Sequence, residues 1–565
     1  MSRYDANDFN IDRLGCFYHP EQTLFSVFAP DYDEMDIIIG GQRIRMERRG
    51  FSFETTLEGD LECAHYHYET REGIRFADPF AYLNLNGESY VLDEGKFISK
   101  TVPVAKQKTT VLYECSVRDF SSDSSYPGRY RGKFLAFTET GLKTSGGLSA
   151  GLDYLKQLGI SHLQLMPIFD FDLDRSHYNW GYNPRAYNHV SPDYVSDRDN
   201  PYAYINELRQ AVNVLHCEGI KVNLDVVFNH VYRYREFDLG KMLKGRCYRR
   251  KEDGKLAEGT FCGNEVASED VFVRAYILKM VERYVKLFDI DGIRMDLMGI
   301  SDIDTVNLIS EKMNELKEGF MVYGEGWNMG DVLPERRRAS IQNAGKMPNV
   351  AMFNDYYRDI MIHYISGNNM IGEDVRRSIK ADPSYLGAMQ SIDYVECHDD
   401  YTFYDRMMIY KSEDPREVNY RRCLIAMAII LCSKGIPFIH MGEEFFRTKK
   451  GVKNSYNAGD LINKIDWKRR ERFDDACCCL KDLISIRNRY PELSNPHISI
   501  AFEEKDDVLM CRTGRLTVFI NTGENENLFK DEKLHRIIFD GEKAVSEVHS
   551  AIAVSPYSVV ISSNE

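Results

Sequence analysis

Between residue 111 and about residue 489, eight short apolar runs alternate with amphipathic helical stretches, and this rhythm predicts an α/β fold built on a parallel (β/α)8 barrel. Alternating apolar and polar residues before residue 105 and again after residue 490 predict an antiparallel β unit on each flank. The expected organisation is an N-terminal β-sandwich over 1–105, the barrel over 106–489 and a small C-terminal antiparallel β-domain over 490–565. A chain of 565 residues with 43% hydrophobic and 28% charged residues is long enough to fill those cores and too apolar to remain disordered.

Each element has its own signal. The sandwich rests on runs such as TLFSVF at 23–28 and MDIII at 35–39, broken by Ala-Pro, Gly-Gly and Glu-Gly-Asp turns. A change of rhythm near 101–108 marks the boundary. The barrel strands are expected at 111–118, 161–168, 221–228, 291–297, 320–325, 350–354, 391–397 and 436–441. Helices with apolar residues three and four apart fall at 147–158, 204–217, 270–287, 303–316 and 417–433, with a last one at 475–488. Pro491 and the alternating runs near 507–520 and 545–562 open the terminal β-domain. No internal repeat and no low-complexity linker is present.

Composition excludes several function classes. A net charge of −15 without a concentrated basic patch argues against nucleic acid as a partner. The longest apolar run, LIAMAIILC at 424–432, is far shorter than the ~20 residues of a membrane span and reads as a buried helix. The first residues carry no basic segment followed by an apolar one, and thirteen cysteines without framework spacing fit reduced thiols, so the expected location is cytoplasmic. Cys477, Cys478 and Cys479 do not make a metal site, because consecutive helical side chains diverge by about 100°.

In a (β/α)8 barrel the reacting groups project from the C-terminal ends of the strands into one mouth. Strand three ends in Asp225, Asn229 and His230, strand four in Arg294 and Asp296, strand five in Glu325 and Trp327, and strand seven in Glu396, His398, Asp399 and Asp400. One acid at a strand end is ordinarily a cap; acids and histidines ending four strands of one barrel are a site. Convergent carboxylates suit glycoside hydrolysis, in which one attacks or stabilises an oxocarbenium-like centre and another protonates the leaving oxygen. A catalytic metal is the rival, but Arg294 shares a strand face with Asp296, and a cation there opposes a metal while holding a carboxylate ionised.

At these residues the sequence resembles the α-amylase family, glycoside hydrolase family 13, whose four motifs look like DVVFNH at 225–230, GIRMDLMG at 292–299, YGEGW at 323–327 and YVECHDD at 394–400. YNWGYNP at 178–184 is similar to the signature of type I pullulanases, which cleave α-1,6 branch links. The stretches at 262–269 and 442–467 also resemble pullulanase segments. ADPFAYLNLNGESYVLD at 77–93 looks like the family 48 carbohydrate-binding module that precedes such barrels.

The resemblance implies Asp296 as nucleophile, Glu325 as general acid/base and Asp399 as transition-state stabiliser of a retaining hydrolase, with the first two carboxyls about 5–5.5 Å apart. It implies His230, His398 and Arg294 as groups holding the sugar, with Tyr182 as a stacking platform. Trp180, Asn183 and Trp327 are further candidate substrate contacts, and Tyr456, Asn179, Asn454, Asn457 and Asp460 weaker ones. Asp225 and Asn229 are expected to brace the site, and Cys262 to be structural. The expected substrate is a branched α-glucan, with no membrane or nucleic-acid partner. No cofactor is required and no metal ligand is assigned; structural calcium is compatible with the family but has no identifiable ligand loop. Asp400 stands where the family has Asn, Ile293 where an aromatic is common and His440 where Gln is frequent; the extra carboxylate at 400 is expected to raise the proton affinity of the cluster. A neopullulanase or α-1,4-acting amylase is the near alternative, and a non-catalytic glucan-binding scaffold the distant one.

Overall fold

The computed structural model describes residues 4–105, 108–172, 177–368, 372–382 and 386–564, with the backbone alone at 531–534. Eight parallel strands close into a barrel: β1 Leu112–Cys115, β2 His162–Leu165, β3 Lys221–Val226, β4 Gly292–Met295, β5 Met321–Gly324, β6 Val350–Phe353, β7 Ser391–Asp393 and β8 Ile436–His440. Leu112 pairs with Phe438 where β1 meets β8. All eight lie inside the runs the sequence marks.

Every strand is shorter than its run, and two of the early ends have a local cause. β1 stops at Cys115 because Ser116 caps a short helix, Val117–Ser121, its Oγ accepting from the Asp119 amide at 3.2 Å. β7 stops at Asp393 because the next residues turn into other elements: the Tyr394 hydroxyl donates to Asp355, the His398 amide donates to Glu114, and Glu396 accepts from the Phe403 amide. The chain that carries YVECHDD is therefore tied to the barrel by side chains rather than by a strand ladder.

The helices between strands behave as amphipathic covers. Ile303–Leu316 coincides with its sequence interval and is capped by Asp302, which accepts from the Thr305 amide. Val271–Phe288 buries Phe272, Val273, Tyr276, Ile277, Met280, Val281 and Tyr284, the three- and four-residue spacing of one face. Arg416–Cys432 holds the run at 424–432, nearly all of it buried. Asp474–Arg489 carries the three consecutive cysteines on different faces, with Cys477 and Cys479 buried and Cys478 partly exposed. No helix among the described residues is long and apolar enough to cross a membrane.

The N-terminal unit is two antiparallel sheets facing each other, one of Gly15–His19, Gln22–Phe28, Ser52–Glu58 and Glu47–Arg49, the other centred on Met35–Ile39 and His65–Thr70. It packs on the barrel through aromatic rings: Phe28 stacks on Phe272 at 4.3 Å between centroids, and Phe80 meets Tyr276 edge-on. A bidentate pair from Arg246 to Asp31, at 2.5 and 3.0 Å, closes the joint. The C-terminal unit is one six-stranded antiparallel sheet running from Ile500 to Ser563.

Candidate active site

The barrel interior changes from apolar to polar toward its C-terminal mouth. Leu112, Tyr323, Ile392 and Phe438 pack together inside the barrel. Beside them lie Glu114, Gln164, Asn223, Asp225 and Arg294, all essentially inaccessible. Strand register makes Asp225 the direct partner of Arg294, and Arg294 the partner of Tyr323. The buried charges are therefore neighbours by construction of the sheet.

Arg294 is the centre of the site. Its Nη1 donates to Asp225 Oδ1 and to Asp296 Oδ1, each at 3.0 Å, and its Nη2 donates to Glu325 Oε1. One guanidinium thus holds Asp225, Asp296 and Glu325 through its two terminal nitrogens, a fork of donors that lysine lacks. Asn229 locks Asp296 from the other side, with Nδ2 donating to its carbonyl at 2.7 Å and to Oδ2 at 2.9 Å. Glu325 Oε2 accepts from the Leu297 amide at 3.0 Å. The turn that presents this amide needs Gly299, where a Cβ would lie 1.9 Å from the Trp327 carbonyl oxygen.

The two carboxylates differ in environment. Glu325 is 4% exposed. Burial pushes its carboxyl up to about 8, with the Asp296 and Asp399 charges adding to the effect and Arg294 opposing it. Asp399 lines the cleft, while Asp296 keeps only a small exposed edge beside Arg294. Burial likewise pushes Asp225 up to about 7 against the pull of Arg294. Asp225 accepts from the Tyr182 hydroxyl at 2.6 Å, so it braces both the arginine and the ring.

The surroundings shift the two histidines in opposite directions. Burial lowers His230, whose Nδ1 lies 2.5 Å from Asn229 Oδ1. Burial would also lower His398, but the Glu114 and Asp399 carboxylates outweigh it and carry the ring up to about 9. Tyr182 stacks on His398 at 4.7 Å and 18°.

The cleft lined by Arg294, Glu325, Trp327, Phe353, His398 and Asp399 has a volume of about 260 Å³. A larger cavity of about 810 Å³ lies at the opposite end of the barrel, near Lys434 and Arg487, and is lined by none of Asp296, Glu325 and Asp399. Among the described residues no group of three or more His, Cys, Asp or Glu side chains is arranged to hold a metal ion.

Several expected contacts are placed differently. Trp180 is 5% exposed, edge-on to His398 at 5.0 Å, with the Lys449 ammonium 5.0 Å from its ring; it packs the histidine rather than offering an open face. Asn179 is spent on a turn, accepting from the Gly181 amide. Asp460 is held by Arg118 at 2.7 and 3.0 Å. Trp327 is partly open, its indole N–H donating to Asp355. Tyr456 is 51% exposed, with Asn454 and Asn457 exposed beside it. Asn183 has a buried Oδ1 with no hydrogen bond. Cys262 is an exposed thiol that burial of its sulfur pushes up to about 11, so it is not a thiolate nucleophile.

The expectation for Asp400 is corrected. Its carboxylate pairs with Arg406 at 2.8 Å and lies 3.7 Å from Lys453. Although burial raises it, Arg406 outweighs burial and holds it below the ordinary carboxylate range. Its charge is compensated by Arg406, and it is not among the charges that act most strongly on Glu325. His440, at the Gln position, is neutral: its Nδ1 is bonded to Glu396 at 2.8 Å and its Nε2 accepts from Arg447 at 2.9 Å.

The residue that sequence reasoning passed over is Glu114, within VLYEC. A lone carboxylate inside a strand buried on both faces was the available signal, because such a charge needs a partner.

A closed barrel whose mouth gathers an arginine-bridged carboxylate pair, a third acid and two histidines defines a glycosidase of the α-amylase class, and the family described as "Alpha amylase, catalytic domain" matches residues 130–240. The chain is 35% identical over 523 residues to the Pullulanase of Bacillus subtilis (strain 168), covering 86% of this chain and 73% of that protein. It superposes on the pullulanase of Anoxybacillus sp. LM18-11, solved with maltotetraose, with a TM-score of 0.94 and 31% identity, covering all of this chain and 88% of the other. The pullulanase of Paenibacillus barengoltzii, solved with maltohexaose and α-cyclodextrin, gives 0.92 and 32%, covering all of this chain and 97% of the other. The chain belongs to the pullulanase family.

Proposed function

We propose that the protein is a debranching glycosidase that hydrolyses α-1,6-glucosidic links in pullulan, limit dextrins or glycogen-like glucans, with retention at the anomeric carbon. The observation that carries the chemistry is the Arg294 bridge between two carboxylates in unlike surroundings, Asp296 partly exposed and Glu325 buried with its carboxyl pushed up to about 8. Pullulanase relatives solved with malto-oligosaccharides support an α-glucan as the substrate.

In the first step Asp296 attacks the anomeric carbon while Glu325 gives its proton to the bridging oxygen, which leaves as the hydroxyl of the released chain. In the second, Glu325 takes a proton from water, and the oxygen displaces Asp296 from the glycosyl–enzyme. Arg294 and Asn229 keep the Asp296 oxygens oriented throughout. His230, His398 and Asp399 hold hydroxyls of the ring at the cleavage point, an interaction worth most as charge develops. Water is the only co-reactant in this scheme, so no cofactor is invoked; structural calcium stays unassigned. Thirteen unpaired thiols support a reducing, cytoplasmic setting.

The test is product analysis on pullulan, with Asp296→Ala as the blank. Maltotriose from the wild type alone supports α-1,6 cleavage, and an α-anomer formed first, read by proton NMR, supports retention. Panose would instead assign α-1,4 cleavage, and no product from pullulan or a short branched dextrin would favour a binding scaffold.

A further inference from the structure

Among the buried acids that the debranching chemistry leaves without a task, Glu114 stands next to the site. Glu114, on β1, is wholly inaccessible. The nearby cation is already committed, since both terminal nitrogens of Arg294 are engaged by Asp225, Asp296 and Glu325. Glu114 instead closes on His398 at two points: Oε1 accepts from the ring Nδ1–H at 2.8 Å, and Oε2 accepts from the His398 backbone N–H at 2.7 Å. Gln164 fixes the carboxylate in turn, its Nε2 donating to Oε1 at 3.0 Å while its own Oε1 accepts from the Tyr323 hydroxyl.

We propose that Glu114 is a positioning residue for the debranching reaction: by binding both the ring Nδ1 and the backbone of His398 it keeps that histidine an imidazolium, with Nε2–H as a fixed cationic donor to the sugar at the cleavage point. The inference rests on the function proposed above. With Nδ1 given to Glu114, the open nitrogen is Nε2, which lies 3.8 Å from Asp399 Oδ2 and so faces the sugar together with that acid. Lys449 Nζ holds the His398 carbonyl at 2.6 Å, Tyr182 covers one face of the ring and Trp180 meets it edge-on. The ring therefore has one direction left in which to donate.

The charges around His398 agree with a fixed cation. Glu114 and Asp399 favour the protonated ring, while burial and Arg294 oppose it, and the balance lies well above the ordinary imidazole value. Asp225 faces the same ring through the Tyr182 hydroxyl, which lies 3.3 Å from Nδ1. His440, 3.9 Å from Glu114 Oε2, is neutral and does not compete for the carboxylate. A buried carboxylate is costly unless a hydrogen-bonded cation compensates it, and His398 is the group positioned to do so. A charge-assisted N–H donor is roughly twice as strong as a neutral one.

The pH profile of kcat/KM on pullulan decides the matter. In Glu114→Gln the alkaline limb is expected to move down toward the ordinary imidazole value of about 6.5. The activity lost at pH 8 should then exceed that lost at pH 5 by about tenfold, most of it in KM. Glu114→Asp, which restores the charge, should bring the limb back up even where the rate is lower. A purely structural role would lower the rate equally at every pH, and that result would overturn the proposal. On the unaltered enzyme, the Kd of maltotriose should be flat from pH 5 to 7.5; an inflexion near 6.5 that vanishes in His398→Asn would also overturn it. Wild-type hydrolysis of pullulan is the separate control, so failure of the debranching assignment shows there and failure of the Glu114 assignment shows only in the profiles.

Discussion

Glu325 and Asp296 are both strand-end carboxylates, yet their environments differ in the way the two proposed tasks require. Glu325 lies under the barrel rim, where burial outweighs Arg294 and pushes its carboxyl up to about 8. A general acid acts only while protonated, so activity should hold below that value and fall as pH rises through it. The measurement is the alkaline limb of kcat/KM, expected near pH 8 in the wild type, with Glu325→Gln lowering kcat by about 10²–10⁴. Asp400 gives the converse expectation: its charge is spent on Arg406, so Asp400→Asn should leave the alkaline limb within a few tenths of a pH unit of the wild type. A downward move of the limb in that variant would restore the sequence-based reading of an added charge. Both carboxylates were legible in the sequence as members of strand-end motifs. The Arg406 contact that silences Asp400 was not, because it comes from a helix whose orientation the motif does not encode.

The elements that matter most are those at the ends of β4 and β5. The turn after Asp296 brings the Leu297 amide to Glu325, and the Gly299 amide donates to the Glu325 carbonyl at 2.9 Å. A methyl group at 299 would strike the Trp327 carbonyl and push the two strand ends apart. Gly299→Ala is therefore expected to lower kcat on the order of 10²-fold, the usual effect of a misplacement of about 1 Å. Steady-state kinetics beside an unchanged far-UV spectrum would check it. The strands themselves were readable from apolar runs, and Ile303–Leu316 from its spacing. The early end of β7 was not, since side-chain bonds to Glu114 and Phe403, distant in sequence or across a turn, draw the chain out of the ladder.

The N-terminal sandwich is joined to the barrel by packing as well as by chain. Phe272 projects from a barrel helix and stacks on Phe28 of the sandwich, with Phe80 at its edge. It is fully buried, so Phe272→Ala should cost about 3–5 kcal/mol. The sandwich should then loosen first, giving a separate low-temperature transition in calorimetry. A single cooperative transition shifted by less than a degree would show that the joint rests on Arg246 and Asp31 instead.

The amino-acid sequence alone determined the barrel, its flanking β units and the acids at the ends of four strands, because periodicity and strand-end motifs are local properties that a linear chain displays. Tertiary structure alone decided which acid is buried and pushed upward, which tryptophan is covered and which buried glutamate holds a histidine. Those outcomes depend on desolvation and on charges brought within a few ångströms by strands tens to hundreds of residues apart, and neither quantity exists until the barrel has closed.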